Sequence, residues 1–211
     1  MFSIKETIKY GWHKSKENLE LVLFSTLLIL AVGSLVGGFG DHKEGLNFSM
    51  LGFIGTIFLI IIRIGYTKIF LRIYDGESPK FSEIFQEYRT FWRYLGVSIL
   101  VPLTVLGGLI LLIIPGIIWA VRFSFSFFVV IDSKTGPVVA MKESYAITKG
   151  KFWKLLGFWI VIGLFNLLGL ILLGIGLLVT IPVSTFASIY VYRELSKAKA
   201  SLMQTPSPQT P

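Results

Sequence analysis

Arg122 is the residue whose type and position in this chain point most clearly to chemistry. It lies inside an apolar stretch, six residues after Gly116 and therefore about 9 Å along a helix. All twelve Asp and Glu residues lie outside the apolar stretches, so no carboxylate accompanies Arg122 at its depth. A charge in mid-bilayer costs roughly 2.5 to 3.5 kcal/mol and needs a partner. Two partners remain open: an anion such as a lipid phosphate, bound by the planar guanidinium, or backbone carbonyls at broken helix ends.

Arg63 and Asn166 are the other polar candidates for binding a lipid or an anion. Lys68 and Arg72 follow Arg63 in the same half of its apolar stretch, which favours a side chain that reaches out to the headgroups over one that contacts a ligand. Asn166 lies near the middle of its stretch. We expect it to form a hydrogen bond across a helix interface.

Catalytic and metal chemistry find little support in the sequence. The chain has no cysteine, and His13 and His42 flank an apolar stretch, so that they lie on opposite sides of a membrane and cannot share a site. No phosphate-binding loop, zinc-ligand spacing or dinucleotide fingerprint occurs. The hydroxyls that could act as nucleophiles have no His or Lys at a matching depth as a base; they belong to Ser124, Ser126, Ser144 and Tyr145. We therefore predict no enzymatic activity, no metal and no cofactor.

The elements that must position these residues are membrane helices. The chain is 54% hydrophobic, 15% charged and has a mean hydropathy of +0.74, which is typical of a polytopic membrane protein. About 20 apolar residues cross a hydrocarbon core. Six apolar runs occur, at about 21–39, 49–73, 95–114, 116–131, 155–173 and 176–193. The prediction is an all-α integral membrane protein with six transmembrane helices.

The basic residues indicate the orientation of these helices. Seventeen of the 20 Lys and Arg residues lie on one side of the predicted membrane, and only Lys43 lies on the other side. The positive-inside rule places the basic side, with both termini, in the cytoplasm, and the expected location is the inner or plasma membrane. The net charge of +8 then indicates attraction to anionic lipids rather than to nucleic acid.

An amphipathic helix precedes each pair of predicted spans. Apolar residues recur at helical spacing as Ile4, Ile8 and Trp12; as Phe81, Ile84, Phe85 and Tyr88; and as Val138, Met141 and Tyr145. The first helix begins with a capping-box pattern and the third follows Gly136-Pro137, a typical helix start. Two interpretations remain open: helices that lie in the headgroup region, anchored by Trp12, Trp92 and Trp153, or docking faces for a protein partner.

The chain also contains an internal repeat. The stretches that begin at Phe91 and Phe152 share 13 of 24 positions at an offset of 61 residues. Fixed-period similarity of this kind is the signature of a repeated structural unit. We predict three parallel repeats of an amphipathic helix plus a two-span hairpin, at about 1–73, 79–131 and 137–193, related by an axis along the membrane normal. They form a single membrane domain, 1–195, and a disordered cytoplasmic tail, 196–211.

Residues 113–158 and 172–195 resemble a widespread prokaryotic membrane family, the membrane domain attached to some bacterial glycerophosphodiester phosphodiesterases and its stand-alone relatives. The matching elements are Pro115-Gly116-Ile117, Arg122 with Ser124, Asp132, the Ala140 to Ser144 helix, Thr148-Lys149-Gly150 with Trp153, and Gly174-Ile175-Gly176 with Pro182. The resemblance implies a polytopic membrane protein without an established activity. The phosphodiesterase barrel is absent, so hydrolysis does not carry over.

The predicted function is that of a non-enzymatic membrane protein that binds an anionic lipid or a membrane partner, with Arg122 as the central contact. Two alternatives stay open: a transporter or channel for a small amphiphile, with polar residues along the axis, and an assembly or chaperone subunit that uses the amphipathic helices. At the 61-residue offset, Arg122 corresponds to Val183. The third repeat therefore lacks this arginine.

Overall fold

The computed structural model describes residues 2–38, 50–172 and 174–204, and the regular elements in these ranges are all helices. They are α1 (Ile4–Glu17), α2 (Leu19–Gly38), α3 (Met50–Tyr74), the 3-10 helix η1 (Phe81–Thr90), α4 (Phe91–Leu111), α5 (Ile113–Phe123), α6 (Ser126–Ser133), α7 (Pro137–Thr148), α8 (Phe152–Ile171) and α9 (Leu177–Gln204). The predicted outer loop around His42 and Lys43 lies outside the described residues, as do residues 205–211.

Helices of membrane-spanning length and composition confirm the prediction of an all-helical membrane protein. Within the described ranges, five stretches are long and apolar enough to cross a membrane: Leu19–Val36, Gly52–Tyr74, Phe81–Leu111, Ile113–Ser133 and Phe152–Ile171. The sixth predicted span, 176–193, lies in α9 and is not among these five stretches.

The low mean hydropathy of α9 comes from both of its halves. The first half contains several hydroxyl residues and Pro182, and the second half contains Arg193, Glu194, Lys197 and Lys199. The first half is buried, and Val183, Phe186 and Ile189 have no exposed surface at all. A helix that is surrounded by other helices does not need an apolar surface all round to face lipid.

α9 also corrects the predicted tail. Disorder was predicted from residue 196, but the helix continues without interruption to Gln204. Lys199 Nζ, in this extension, lies within 2.8 Å of both carboxylate oxygens of Glu143 on α7. This ion pair ties the extension to the rest of the protein, whereas the sequence suggested only a polar, Pro-rich end.

The helices form an inner and an outer layer. In the apolar stretches of α2, α4 and α8, 17 to 22% of the residues are buried, against 33 to 39% in those of α3 and of α5 with α6. The centre is packed with aromatic rings from α3 and α9: the ring centroids of Phe70 and Phe186 lie 4.4 Å apart, and those of Tyr66 and Phe70 lie 4.3 Å apart. α3, α5–α6 and α9 are therefore the inner helices.

Each of the three helices that the sequence predicts to be amphipathic packs on an inner helix outside the hairpin that it precedes. α1 contacts α9, η1 contacts α3, and α7 contacts α6 and α5. Ion pairs join the segments that connect these helices: Asp75 with Arg193, Glu87 with Lys134, and Glu143 with Lys199. We call this region the basic end: it comprises α1, residues 75–90, residues 134–151 and the last part of α9. Each amphipathic helix thus joins two hairpins at the basic end.

Small residues form the packing faces of these helices. Thr7, Gly11 and Ser15 are the buried residues of α1, and Gly11 lies so close to the carbonyl oxygen of Val183 that a Cβ there would overlap it. The apolar residues predicted from the sequence do not form this face: Trp12 is 44% exposed, and Ile4 and Ile8 are half-buried. The predicted capping box of α1 is wrong: Ser3 is the N-cap residue but forms no side-chain capping bond.

η1 and α7 differ in the residues that pack inward: η1 buries a large apolar residue, whereas α7 buries small ones. In η1, Ile84 is buried, whereas the other predicted apolar residues, Phe81, Phe85 and Tyr88, are exposed. In α7, Ala140 and Ser144 are buried, and Pro137 is the first helical residue after the N-cap Gly136, which confirms the predicted start. The exposed apolar residues of α1, η1 and α7 thus form three surfaces around the basic end that other described residues cover only in part.

Glycines bring the two helices of each later hairpin together. A Cβ on Gly108 of α4 would lie 2.7 Å from the Trp119 ring and 2.9 Å from Gly116 Cα. In the next hairpin, Gly169 is equally close to Gly176 and Thr180. The turn predicted at Ile114-Pro115-Gly116 is displaced: the chain turns at the extended residue Leu112, and Pro115 and Gly116 lie inside α5.

The run predicted as one span at 116–131 is a broken helix. α5 ends at Phe123 and α6 begins at Ser126, with Ser124 and Phe125 between them. We call Ser124 and Phe125 the helix break. Arg122 is the second-last residue of α5, two residues before Ser124.

Candidate functional site

The backbone around the helix break is satisfied by hydroxyl groups of α7. Ser144 Oγ donates to the carbonyl oxygen of Arg122 at 2.8 Å and accepts from the Phe125 N–H at 3.2 Å. Thr148 Oγ1 also approaches the Arg122 carbonyl, at 3.3 Å. Buried backbone groups without a partner are costly, so these hydroxyls explain how a helix can break here inside the protein.

The side chain of Arg122, unlike its backbone, has buried hydrogen-bond donors without an acceptor within the described part of the chain. Its Nε and Nη1 atoms are buried and donate to no acceptor in the described residues. Its Cζ lies 4.7 Å from the centroid of the Tyr145 ring, a cation–π contact that stabilises the charge without using the N–H groups. The carbonyl of Arg122 itself accepts from α7, and none of the described carbonyls takes up the two nitrogens.

Two further buried donors without partners lie around the break. Trp159 Nε1 on α8 and Ser126 Oγ, at the first residue of α6, have no hydrogen-bond partner within the ranges that the structure describes. The Trp159 ring is 5.9 Å from that of Phe125, between centroids, and α8 contacts α5. The sequence analysis named Ser126 only as a hydroxyl without a base and did not single out Trp159, because an indole and a serine in an apolar helix are ordinary packing residues until their neighbours are known.

The structure does not bring Arg63 or Asn166 to this place. Arg63 is exposed on the outside of α3, which agrees with the expectation that it reaches toward the headgroups. Asn166 on α8 donates to Ser184 Oγ of α9 at 2.9 Å and to the carbonyl oxygen of Ile162 at 3.0 Å. Asn166 therefore joins two helices, as its position in the sequence predicted.

The three tryptophans expected as interfacial anchors lie near the basic end and are exposed. Trp12 carries Lys16 Nζ 4.8 Å above its ring. Trp92 and Trp153, at the second position of α4 and α8, are 76% and 80% exposed, and each contacts the preceding phenylalanine edge-on. Exposed indoles at the ends of apolar helices are typical of the membrane–water boundary.

A charged cluster occupies the basic end of the inner helices. Arg193 of α9 binds the Asp132 carboxylate through both terminal nitrogens, at 2.7 and 3.1 Å, and its Nη2 also donates to Asp75 Oδ2 at 2.5 Å. Tyr192 donates to Asp132 Oδ2 at 2.9 Å. The sequence showed these residues singly, and nothing in it indicated that they meet.

His13, the histidine that the structure describes, belongs to a surface ion-pair group. Its Nε2 lies 3.1 Å from Glu17 Oε1. Lys14 Nζ donates to Glu17 Oε2 at 2.7 Å and holds the pKa of that carboxyl below its ordinary value. Across the described ranges, no three His, Asp or Glu residues are arranged to hold a metal ion.

Comparison with known proteins finds distant relatives. The chain is 23% identical to an uncharacterized protein of Mycobacterium bovis and to one of Mycobacterium tuberculosis, over 98% of this chain and 73% of each relative. No protein-family model matches, and no solved structure matches. The resemblance to the phosphodiesterase-linked membrane domain therefore stays a prediction, and what is shown is a helical membrane protein with relatives in mycobacteria.

Proposed function

We propose that this protein is a six-span inner-membrane protein that binds an anionic lipid at Arg122. The observation that carries the proposal is the pair of buried guanidinium nitrogens, Nε and Nη1, that donate to nothing in the described residues. An arginine at this depth needs an acceptor. A lipid phosphate offers oxygens that match the guanidinium in a bidentate arrangement.

The six-span architecture rests on the way the hairpins join. Each amphipathic helix packs on the last helix of the preceding unit: η1 on α3, α7 on α6, and α1 back on α9. Such a closed cycle is what three parallel repeats around one axis produce. Gly96 and Gly157 agree with it, because they face Pro137 at the start of α7 and Ile4 at the start of α1. In this arrangement α9 is the sixth span.

The orientation follows from charge. The basic end carries nearly all of the Lys and Arg residues of the chain, and the positive-inside rule assigns this end to the cytoplasm. Arg122 then lies near the middle of the Ile113–Ser133 stretch, where α7 of the cytoplasmic end reaches its carbonyl. The phosphates of anionic lipids in the inner leaflet lie toward this cytoplasmic end.

The surroundings of Arg122 favour a lipid as the source of the phosphate. Tyr145, whose ring covers the guanidinium, is 43% exposed, so the site lies near the outer surface of the bundle and not at its sealed centre. Trp159, whose ring lies 5.9 Å from that of Phe125 in the helix break, offers Nε1 as a second buried donor that has no partner in the described residues. Apolar side chains on the lipid-facing surface of α5, including Ile114 and Ile117, suit the acyl chains of such a ligand.

A channel or transporter along the axis receives less support. That function needs polar residues that line the axis, but Arg63 faces outward and Asn166 is bound to Ser184. The centre holds the packed rings of Phe70 and Phe186. The assembly alternative relies on the outward apolar faces of α1, η1 and α7, which a headgroup layer covers equally well.

Native mass spectrometry of the purified protein tests the lipid proposal. We expect the wild-type protein to retain phosphatidylglycerol or cardiolipin, and Arg122→Ala to lose this lipid while it stays folded. Arg122→Lys keeps the charge but loses the planar fork, so we expect intermediate retention. Arg63→Ala is the matched control, because it removes an exposed arginine from another span. Equal lipid retention in Arg122→Ala and the wild type would refute the proposal.

A further inference from the structure

The charged cluster at the basic end joins three inner helices. Asp75 follows α3, Asp132 lies in the last turn of α6, and Arg193 lies in α9. We call these three residues the clasp. The side chains of Asp132 and Arg193 are mostly buried, at 17% and 19% exposed, and Asp75 is 40% exposed. Charge-assisted bonds in a partly buried setting are stronger than surface ion pairs.

The clasp residues occupy corresponding positions in the repeats. Asp132 and Arg193 are 61 residues apart, which is the offset of the internal repeat. Asp75 follows Ile73-Tyr74, as Asp132 follows Val130-Ile131 and Arg193 follows Val191-Tyr192. Each repeat therefore contributes one clasp residue. Three aspartates at these positions would repel one another, and a single arginine in one repeat turns the repulsion into attraction.

The clasp contacts α6, the helix that begins directly after the helix break. α6 has eight residues, Ser126–Ser133, with the helix break at its start and Asp132 near its end. The break separates α6 from the hydrogen-bond ladder of α5, so α6 is held by the packing of the buried Val129, Val130 and Ile131 and by contacts at its two ends. Ser144 supplies one contact, through Phe125 N–H, and Arg193 supplies the other, through Asp132.

We propose that the clasp holds α6 in place and thereby positions Arg122 and its neighbouring donors for the anionic ligand. Arg193 is thus a positioning residue. The effect on ligand binding rests on the function proposed for Arg122, whereas the hold on α6 does not depend on it. Because the three positions correspond, the arginine can be moved from one repeat to another.

The absence of cysteine from the chain allows a direct measurement. Spin labels at Ser133→Cys on α6 and Ser201→Cys on α9 report the distance between the two helices in lipid nanodiscs, by double electron–electron resonance. We expect a narrow distribution in the wild-type background and a broad one in Arg193→Ala. Phosphatidylglycerol retention should fall by roughly twofold to thirtyfold, the usual range for residues that act through others.

Charge relocation is the matched control. Asp132→Arg/Arg193→Asp and Asp75→Arg/Arg193→Asp both keep two aspartates and one arginine, and we expect both to restore the narrow distribution and lipid retention. If Arg193→Ala does not fold, Asp75→Asn, which leaves the Asp132–Arg193 pair intact, is expected to broaden the distribution partly.

The two proposals fail in different ways. An unchanged distance in Arg193→Ala, or folded relocation variants that stay broad, would overturn the clasp. A broad distribution with undiminished lipid retention would overturn the positioning role. A wild-type protein that retains no anionic lipid would overturn the Arg122 function and the positioning role together, and the distance measurement would still decide whether the clasp holds α6.

Discussion

At the scale of single residues, the backbone carbonyl and the guanidinium of Arg122 are in different situations. Its carbonyl, freed by the helix break, receives hydroxyl donors from α7. Its guanidinium receives the face of Tyr145 but no acceptor for Nε or Nη1 from the described residues. The fold therefore satisfies the backbone at this point and leaves the side chain available for a ligand.

Ser144→Ala tests whether the hydroxyl groups of α7 stabilise the backbone at the helix break. The substitution removes a donor to the Arg122 carbonyl and an acceptor for the Phe125 N–H. Leaving buried groups unsatisfied costs about 1 to 3 kcal/mol, so we expect a lower midpoint of thermal unfolding in detergent micelles, followed by tryptophan fluorescence. Ser34→Ala is the control, because Ser34 is exposed and bonds only the Ala31 carbonyl of its own helix. Equal midpoints in the two variants would contradict the role of Ser144.

At the scale of elements, close helix packing depends on particular glycines. Not every glycine of a span lies at such a contact: a Cβ on Gly33 of α2 would contact nothing within 4 Å. Gly108 and Gly169 correspond to each other in the internal repeat, and they lie at the helix contacts of the two later hairpins. The repeat preserves these glycines because each hairpin turns within a few residues and its helices must approach closely.

Neighbouring glycines in α4 allow a matched test. A Cβ on Gly108 would overlap the Trp119 ring and Gly116, whereas one on Gly107 would meet nothing within 4 Å. Both changes to alanine gain about the same helix propensity, roughly 1 kcal/mol, so their difference isolates packing. We expect Gly108→Ala to lower the thermal midpoint and Gly107→Ala to leave it unchanged or raise it. The opposite order would contradict the hairpin packing described above.

The sequence predicted the positions of the helices better than it predicted which faces of them pack inward or where a helix is broken. Apolar runs located α2, α3, α4, α5 with α6, and α8 within a few residues, because run length reflects bilayer thickness. Helical periodicity found α1 and α7 but not their packing faces, since Gly11 and Ser144 have no hydropathy signal. The helix break after Arg122 and the meeting of Asp75 with Arg193 depend on tertiary contacts, which no local pattern contains.

At the scale of the whole molecule, the proposed three repeats account for features that otherwise stand apart. The closed cycle of α1, η1 and α7 on the inner helices and the shared positions of the clasp residues follow from one arrangement. Arg122 is where the repeats differ: Val183 corresponds to it, and the helix break follows it. Departures from an internal repeat are natural places for function.

The most direct test of the account is an experimental structure of the protein in nanodiscs that contain phosphatidylglycerol. We predict density for a phosphate within hydrogen-bonding distance of Arg122 Nε and Nη1, with the Tyr145 ring over the guanidinium and the acyl chains along α5. Density that shows both nitrogens bonded to backbone carbonyls, with no headgroup beside them, would contradict the account.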